Sequence, residues 1–296
     1  MSPTPAPTGP TGPDTTFLLG VGCMKGGTSW LHDYLSASPQ FEPGFRKEYH
    51  VFDGLDLPGE AWMRRRVMAR ARKAVDALER GEPADPTWLQ QAGFYADPEL
   101  YVDYFDTLAR RSPRTRLVGD VTPAYAQLSA ERLTGIRTAF AERGIRTVAV
   151  FLMRDPVDRV WSQVRMNQGR RPEELPGPTA DWVARLFDQP GYDARTRYDR
   201  TLQALDAAFP AEQVVTTFYE TLFDPAVLAG LCAALGIDYV EPDLSRRVNE
   251  SPTSEPLPDD LVRTVARHFR PVYDAVAERW GADRVRELWP SYRLLD

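Results

Sequence analysis

Three short runs hold the residue types from which an active site can be built. The first is the run Gly20 to Trp30, GVGCMKGGTSW, in which Gly26 and Gly27 separate Lys25 from Thr28 and Ser29. Glycines let a backbone close tightly around oxygens, and the ammonium and two hydroxyls supply charge and donors, so this run is suited to holding an anion. It is not the nucleotide loop in which Lys directly precedes a Ser or Thr that holds magnesium. The second run, RKEYHVFD (Arg46–Asp53), sets Lys47, Glu48, His50 and Asp53 within one short stretch. A carboxylate or imidazole within reach of a hydroxyl can take its proton, while a neighbouring cation lowers the carboxyl pKa and keeps it ionised. The third, MRDPVDRVWSQ, places Arg154 at the end of an apolar run and Ser162 about two helical turns on. A long guanidinium and a hydroxyl so spaced can reach one phosphate. Taken singly, each run has a plainer reading: a tight turn, a solvated charged turn, or a surface ion pair beside a helix-face serine.

The elements around these runs are legible from periodicity. TFLLGV (Thr16–Val21) is a short apolar run that suits a buried strand, and the spacing of Trp30, Leu31, Tyr34 and Leu35 predicts a helix that Pro39 stops. The first run therefore lies between a strand and a helix N-terminus, where free amides and the helix dipole attract anions. TRLVGDVTPAY predicts a further strand ending at a Thr-Pro turn. RTVAVFLMR is the clearest core strand, with Asp155 and Pro156 as N-cap and first helical residue after it. Helical segments are expected near Pro58–Gly81, along the stretch after it to Ala109, near Tyr198–Phe209 and before Gly236, with one long amphipathic helix from Leu261 to Trp280. QVVTTFY predicts another strand. Strands alternating with helices imply an α/β fold, a central parallel sheet with helices on both faces in three layers. Residues 1–14, rich in Pro, Thr and Gly, read as a disordered tail, and residues 15–296 as a single domain.

Composition narrows the function. The chain has 296 residues with a net charge of −6, against the basic balance of a nucleic-acid binder. No apolar run is long enough to span a bilayer. Cys23 and Cys232 form no CxxC, and His32, His50 and His268 are widely spaced, so neither a disulfide framework, a zinc site nor metal catalysis is indicated, and a reducing cytoplasm is the expected compartment. Lysine occurs only at Lys25, Lys47 and Lys73, and two of the three fall inside the runs above, where a compact ammonium suits the chemistry better than a guanidinium fork.

KGGTSWL resembles the 5′-phosphosulfate loop of the sulfotransferases that use 3′-phosphoadenosine 5′-phosphosulfate (PAPS). That resemblance implies a P-loop NTPase-like sulfotransferase fold. It also implies that Lys25 stabilises the leaving bisphosphate, that Gly26, Gly27, Thr28 and Ser29 cradle the donor, and that Trp30 stacks on adenine or else packs in the core. MRDPVDRVWSQ is similar to the family's 3′-phosphate site, which implies donor-binding roles for Arg154 and Ser162. RKEYHVFD resembles a segment of the heparan-sulfate branch. There it implies Glu48 as general base, Lys47 as a donor-side cation, His50 as a catalytic partner and alternative base, and Asp53 as a substrate contact. VGDVTPAY resembles the segment that shapes the active-site floor, with Asp120 standing where the family often has Glu; Asp120 is a further candidate for acceptor contact. YETLFDP near Tyr219 matches a structural element, and the loop from Asn249 fits the family loosely.

The expected reaction is sulfuryl transfer from PAPS, without metal, to a small-molecule or glycan hydroxyl: a glycan, a lipid-linked sugar or a secondary metabolite of a bacterium. Two alternatives are a P-loop kinase using ATP and magnesium, and a PAPS-binding protein without catalysis. The basic cluster Arg64, Arg65, Arg66, Arg70, Arg72 and Lys73 reads as a solvated helix face, with guidance of an anionic glycan as the other reading.

Overall fold

The strands nearest the middle of the sequence's apolar pattern have no polar side because they are covered on both faces. In the computed structural model, which describes residues 15–244 and 255–295, β1 (Thr16–Gly22) is buried throughout. The remaining strands are β2 (Phe41–Glu42), β3 (Leu117–Val121), β4 (Arg146–Met153) and β5 (Val214–Phe218), and β4 is buried from Thr147 onward. All pair in parallel, in the order β2-β3-β1-β4-β5. The expected tail and the loop from Asn249 lie outside the described residues.

Helices fill the crossovers: α1 (Thr28–Ser36), α2 (Val51–Asp56), α3 (Ala61–Glu79), α4 (Thr87–Ala96), α5 (Glu99–Ala109) and α6 (Ala130–Ala141). After β4 come α7 (Pro156–Arg170), α8 (Thr179–Leu186), α9 (Pro190–Asp193) and α10 (Tyr198–Ala208). After β5 come α11 (Pro225–Leu235), α12 (Asp259–His268), α13 (Arg270–Trp280) and α14 (Ala282–Leu288). Alternation along β1 sorts the core into two layers. Phe17, Leu19 and Val21 join the cluster with α5, α6, α7, α10 and α13, while Leu18 packs with Leu31 and Leu35 of α1 and Leu228, Leu231 and Leu235 of α11. The expected three-layer α/β architecture is therefore observed.

One expected element differs. The helix read as continuous from Leu261 to Trp280 breaks at Phe269, between α12 and α13, with Pro271 at the start of the second piece. Proline has no N–H to donate and clashes with the carbonyl four residues earlier, so the helix restarts there. The two-residue edge strand β2, α6 and α14 had no clear sequence signal.

The sheet order reverses around β1, with β3 and β2 on one side and β4 and β5 on the other. Ligands of open α/β sheets bind beyond the carboxyl ends of the strands at such a switch point. The loop from β1 to α1 leaves the sheet there.

Candidate active site

The β1–α1 loop is shaped by close packing. Its first amide, Cys23 N–H, donates to Leu152 O of β4 at 2.6 Å, and Gly26 N–H donates back to Cys23 O at 3.0 Å. Lys25 sits at φ 69°, a left-handed conformation that costs a side-chain-bearing residue on the order of 1–3 kcal/mol. A Cβ on Gly26 would lie 2.7 Å from Cys23 Sγ, and one on Gly27 (φ +91°) 2.8 Å from Leu222 Cδ2 and 3.1 Å from Tyr219 Cδ2. Glycine is therefore required twice. Helix α1 starts with no side-chain cap and no acidic residue in its first turn, and its first intrahelical bond comes from Leu31 N–H to Gly27 O. The opening amides of α1 thus face out of the loop with a positive dipole end behind them.

Cations gather over this loop. Burial, and then the charges of Arg154, Arg170 and Arg165, push the Lys25 ammonium below its ordinary pKa. Arg154 follows β4, donates from Nη1 to Lys25 O at 3.2 Å and lies 4.5 Å from the Tyr219 ring, while its buried Nε has no hydrogen-bond partner. Its own carbonyl accepts from Tyr198 OH at 3.0 Å. Ser162 is buried on α7.

The second run forms a chain of alternating charge. Lys47 Nζ lies 2.6 Å from Glu48 Oε1, Glu48 Oε2 lies 3.1 Å from His50 Nε2, and His50 Nδ1 lies 2.7 Å from Asp53 Oδ2. Lys47 Nζ also donates to Thr28 Oγ1 at 3.4 Å, so one ammonium touches both the start of α1 and the carboxylate. Burial would raise the Glu48 pKa, but the hydrogen bond from His50 and the charge of Lys47 bring it down to about 2. Burial would likewise lower His50, yet its bonds to Asp53 and Glu48 raise it to about 10. At neutral pH the chain is ammonium, carboxylate, imidazolium, carboxylate. Glu48 keeps 38% of its side chain exposed, against 14% for His50, so it is the open member.

The backbone of this segment is clamped on both sides. Tyr49 N–H donates to Thr122 Oγ1 (3.1 Å) and Asp120 Oδ1 (3.3 Å), and Val51 N–H to Tyr125 OH (3.1 Å). The carbonyls of Tyr49 and His50 accept from Gln91 Nε2 and Tyr95 OH, each at 2.6 Å. These bonds hold His50 at φ 54°, another left-handed residue. Asp120 is the hub. It also accepts from Thr122 Oγ1, Tyr101 OH and Tyr125 OH, and burial raises its pKa to about 6 in spite of them.

A model of the sulfotransferase family matches residues 18–241. This chain belongs to the sulfotransferase family. Among solved structures, a sulfotransferase from Alicyclobacillus acidocaldarius is similar to it at 23% identity and a TM-score of 0.55, covering 90% of this chain and 94% of the other. A sulfotransferase from Mycobacterium avium shares 13% identity at a TM-score of 0.47, covering 89% and 77%. No curated protein matches. The first likeness supports the fold, and the family establishes sulfuryl transfer as the general activity.

In this sulfotransferase the loop residues Lys25, Gly26, Gly27, Thr28 and Ser29 come together with Arg154, and Lys47 joins them to Glu48 and His50. Three of the expected residues are packed against the protein itself. Trp30 is only 9% exposed, stacked on Tyr34 with centroids 5.4 Å apart and edge-on to Phe223 at 4.9 Å, so its ring faces are taken up by core packing. Asp53 and Asp120 are both 0% exposed. The first holds His50 and the second holds the Tyr49 backbone, so each supports the site from beneath. Arg64, Arg65, Arg66, Arg70, Arg72 and Lys73 all lie on the exposed side of α3, as a solvated face should. Tyr219, Gln91, Tyr95 and Tyr198, which hold the site together, carried no catalytic signal in the sequence because each reaches it from a distant element. Among the described residues no helix is long and apolar enough to cross a membrane, and no cluster of His, Cys, Asp and Glu has the make-up of a metal site.

Proposed function

We propose that this sulfotransferase takes its sulfuryl group from PAPS and passes it to an acceptor hydroxyl, with Glu48 accepting the hydroxyl proton. The observation that carries this reading is the Lys47 ammonium shared between Thr28 of the phosphate loop and Glu48. It sets a proton acceptor beside an anion site at the spacing of one side chain. The donor, when bound, supplies the sulfuryl group and a bisphosphate leaving group. The residues present fit it: a glycine cradle that a Cβ would fill, capless helix amides, and an Arg154 Nε–H with no protein partner.

Lys25 and Arg154 are the cations that bind and orient the donor's anionic groups, and Lys25 is the one to offset charge on the leaving oxygen. Ser29 and Ser162 add hydroxyl donors. Glu48 takes the proton, Lys47 holds the carboxylate toward the loop, and the His50 imidazolium, steadied by Asp53, fixes its second oxygen. His50 in its charged form is no base, which favours Glu48 for that role. Hydroxyl acceptors on a small molecule or glycan suit a carboxylate base.

The kinase reading is disfavoured by Asp155, the residue after β4 and Arg154 that would have to hold magnesium. Its carboxylate accepts from Val157 N–H, Tyr273 OH and Ser291 N–H, is fully buried, and caps α7. The test pairs wild type with Glu48→Gln. Both are expected to bind adenosine 3′,5′-bisphosphate equally in calorimetry, while only wild type releases it from PAPS in the presence of a panel of hydroxyl acceptors. Stabilisation by ATP–magnesium but not by the bisphosphate would overturn the donor assignment; equal turnover in Glu48→Gln would remove Glu48 as the base. Bisphosphate binding without turnover by wild type on any acceptor would favour a binding protein.

A further inference from the structure

Among the described residues, one arginine is buried outright with no carboxylate to pair with it. Arg159, on the first turns of α7, is 0% exposed. Its Nη2 donates to Tyr192 O at 3.2 Å, and its Nε and Nη1 have no hydrogen-bond partner. No carboxylate among the described residues pairs with it. The groups that influence it electrostatically are Tyr198, Cys23, Arg195 and Tyr192. Of these Arg195 is also cationic, and its acid, Glu60, is already spent on it. The two carboxylates at the end of β4 and β5 are spent as well. Asp155 is satisfied by Tyr273 and Ser291, and Glu220 accepts from Asp155 N–H and Trp289 Nε1–H.

The position of this charge is specific. The Tyr192 carbonyl that holds Arg159 also accepts from Thr196 Oγ1, next to Arg195, whose Nη1 lies 3.0 Å from Met24 Sδ of the phosphate loop, and Tyr198 OH lies 3.3 Å from Cys23 Sγ and 3.0 Å from the Arg154 carbonyl. Arg159 thus stands behind the loop, on the protein side, while Lys25 and Arg154 stand at its mouth. A buried cation with no partner is among the most costly things a core can hold, and apolar residues of similar volume commonly replace such groups with no loss of stability. A fold that keeps one is giving up stability for something else.

We propose that Arg159 is a fixed counter-charge for the donor: a guanidinium left uncompensated by the protein so that the anionic groups bound in the loop compensate it through the loop backbone. It acts as a positioning residue that never touches the ligand. The proposal rests on the reading of the loop as the donor site. Because the charge is walled off from solvent, salt screens its contribution weakly. That distinguishes it from Arg170, which acts on Lys25 from an exposed position.

The experiment compares Arg159→Met and Arg159→Lys with wild type by thermal unfolding without ligand and by calorimetric titration with adenosine 3′,5′-bisphosphate at low and high salt. Arg159→Met is expected to unfold at the same or a higher temperature and to bind about tenfold more weakly, a difference of about 1.4 kcal/mol, with the same ratio at both salt concentrations. Arg159→Lys keeps the charge and is expected to bind within about threefold of wild type. Undiminished affinity in Arg159→Met overturns the proposal, as does a methionine variant that unfolds early or cannot fold, since the guanidinium would then be serving the core. A tenfold loss in Arg159→Lys also overturns it, because geometry rather than charge would be at work. If wild type itself fails to bind the bisphosphate, the donor reading falls first.

Discussion

Around the phosphate loop, Lys25, Arg154, Arg165 and Arg170 crowd one another and depress the ammonium among them, whereas from Lys47 to Asp53 each charge is met by its opposite within 3.1 Å. The first region carries more cations than acids, with Asp158 acting on Arg154 and Arg165, and the second is closed on itself. A site that must attract a multiply charged anion gains from an unbalanced field. A site that must position one carboxylate gains from fixed neighbours that leave it no alternative rotamer. Lys47 belongs to both, and the contrast between them can be tested by removing charges on either side.

The largest effect is expected from Glu48→Gln, which keeps the shape of the closed chain and removes its basicity. Turnover should fall by about 10²–10⁴ while bisphosphate affinity stays within error. Lys25→Met strikes the open region instead and should lower both, with turnover down by about 10²–10³, as measured by steady-state kinetics with PAPS. Asp120→Ala breaks the closed region from beneath. It strands the Tyr101, Tyr125 and Thr122 hydroxyls, and should cost about 3 kcal/mol or more in a denaturant titration.

The smallest effect is on pH dependence, and its sign differs from group to group. His50, raised to about 10 from an ordinary 6.5, contributes stability that is complete below about pH 6.5 and is lost as pH rises through about 10. Glu48, lowered from 4.5 to about 2, contributes stability present above about pH 4.5 and lost as pH falls through about 2. Beside the phosphate loop, burial holds Asp155 at about 6 and Glu220 at about 7, above their ordinary 3.8 and 4.5. Their folded forms keep protons that the unfolded chain releases, so this region loses stability as pH rises from about 4 to about 7. Thermal unfolding followed against pH should show that decline, and His50→Gln should flatten the alkaline limb and also weaken the acid one, since His50 helps hold Glu48 low.

Much of the open region was legible in the sequence because it is local. A strand, two glycines and a helix start lie within a dozen residues, and parallel burial makes β1 and β4 read as apolar runs. The order Lys47, Glu48, His50, Asp53 was equally visible. What spacing could not convey was which members face outward. Asp53 and Asp120 carry the same carboxylate as Glu48, yet both are buried beneath a backbone held from α4, β3 and the turn after it, by bonds that join residues up to 74 positions apart. Trp30 is a similar case: helical spacing fixed its face but not the Tyr34 ring already stacked on it. The break in the C-terminal helix had a visible cause in Pro271, outweighed by an apolar pattern that continues across it. Arg159 gave no sign at all, since an arginine in a helix is ordinarily a surface residue.

The bond from Lys47 to Thr28 has a practical consequence for redesign. On the proposed mechanism a single ammonium serves as a hinge-pin common to donor capture and proton removal, so substitutions at residues 47 to 50 made to admit a new acceptor would disturb donor capture as well. For inhibitors the same coupling is an opportunity: a single compound carrying a phosphate mimic and a basic group for Glu48 would displace one lysine from both of its tasks at once.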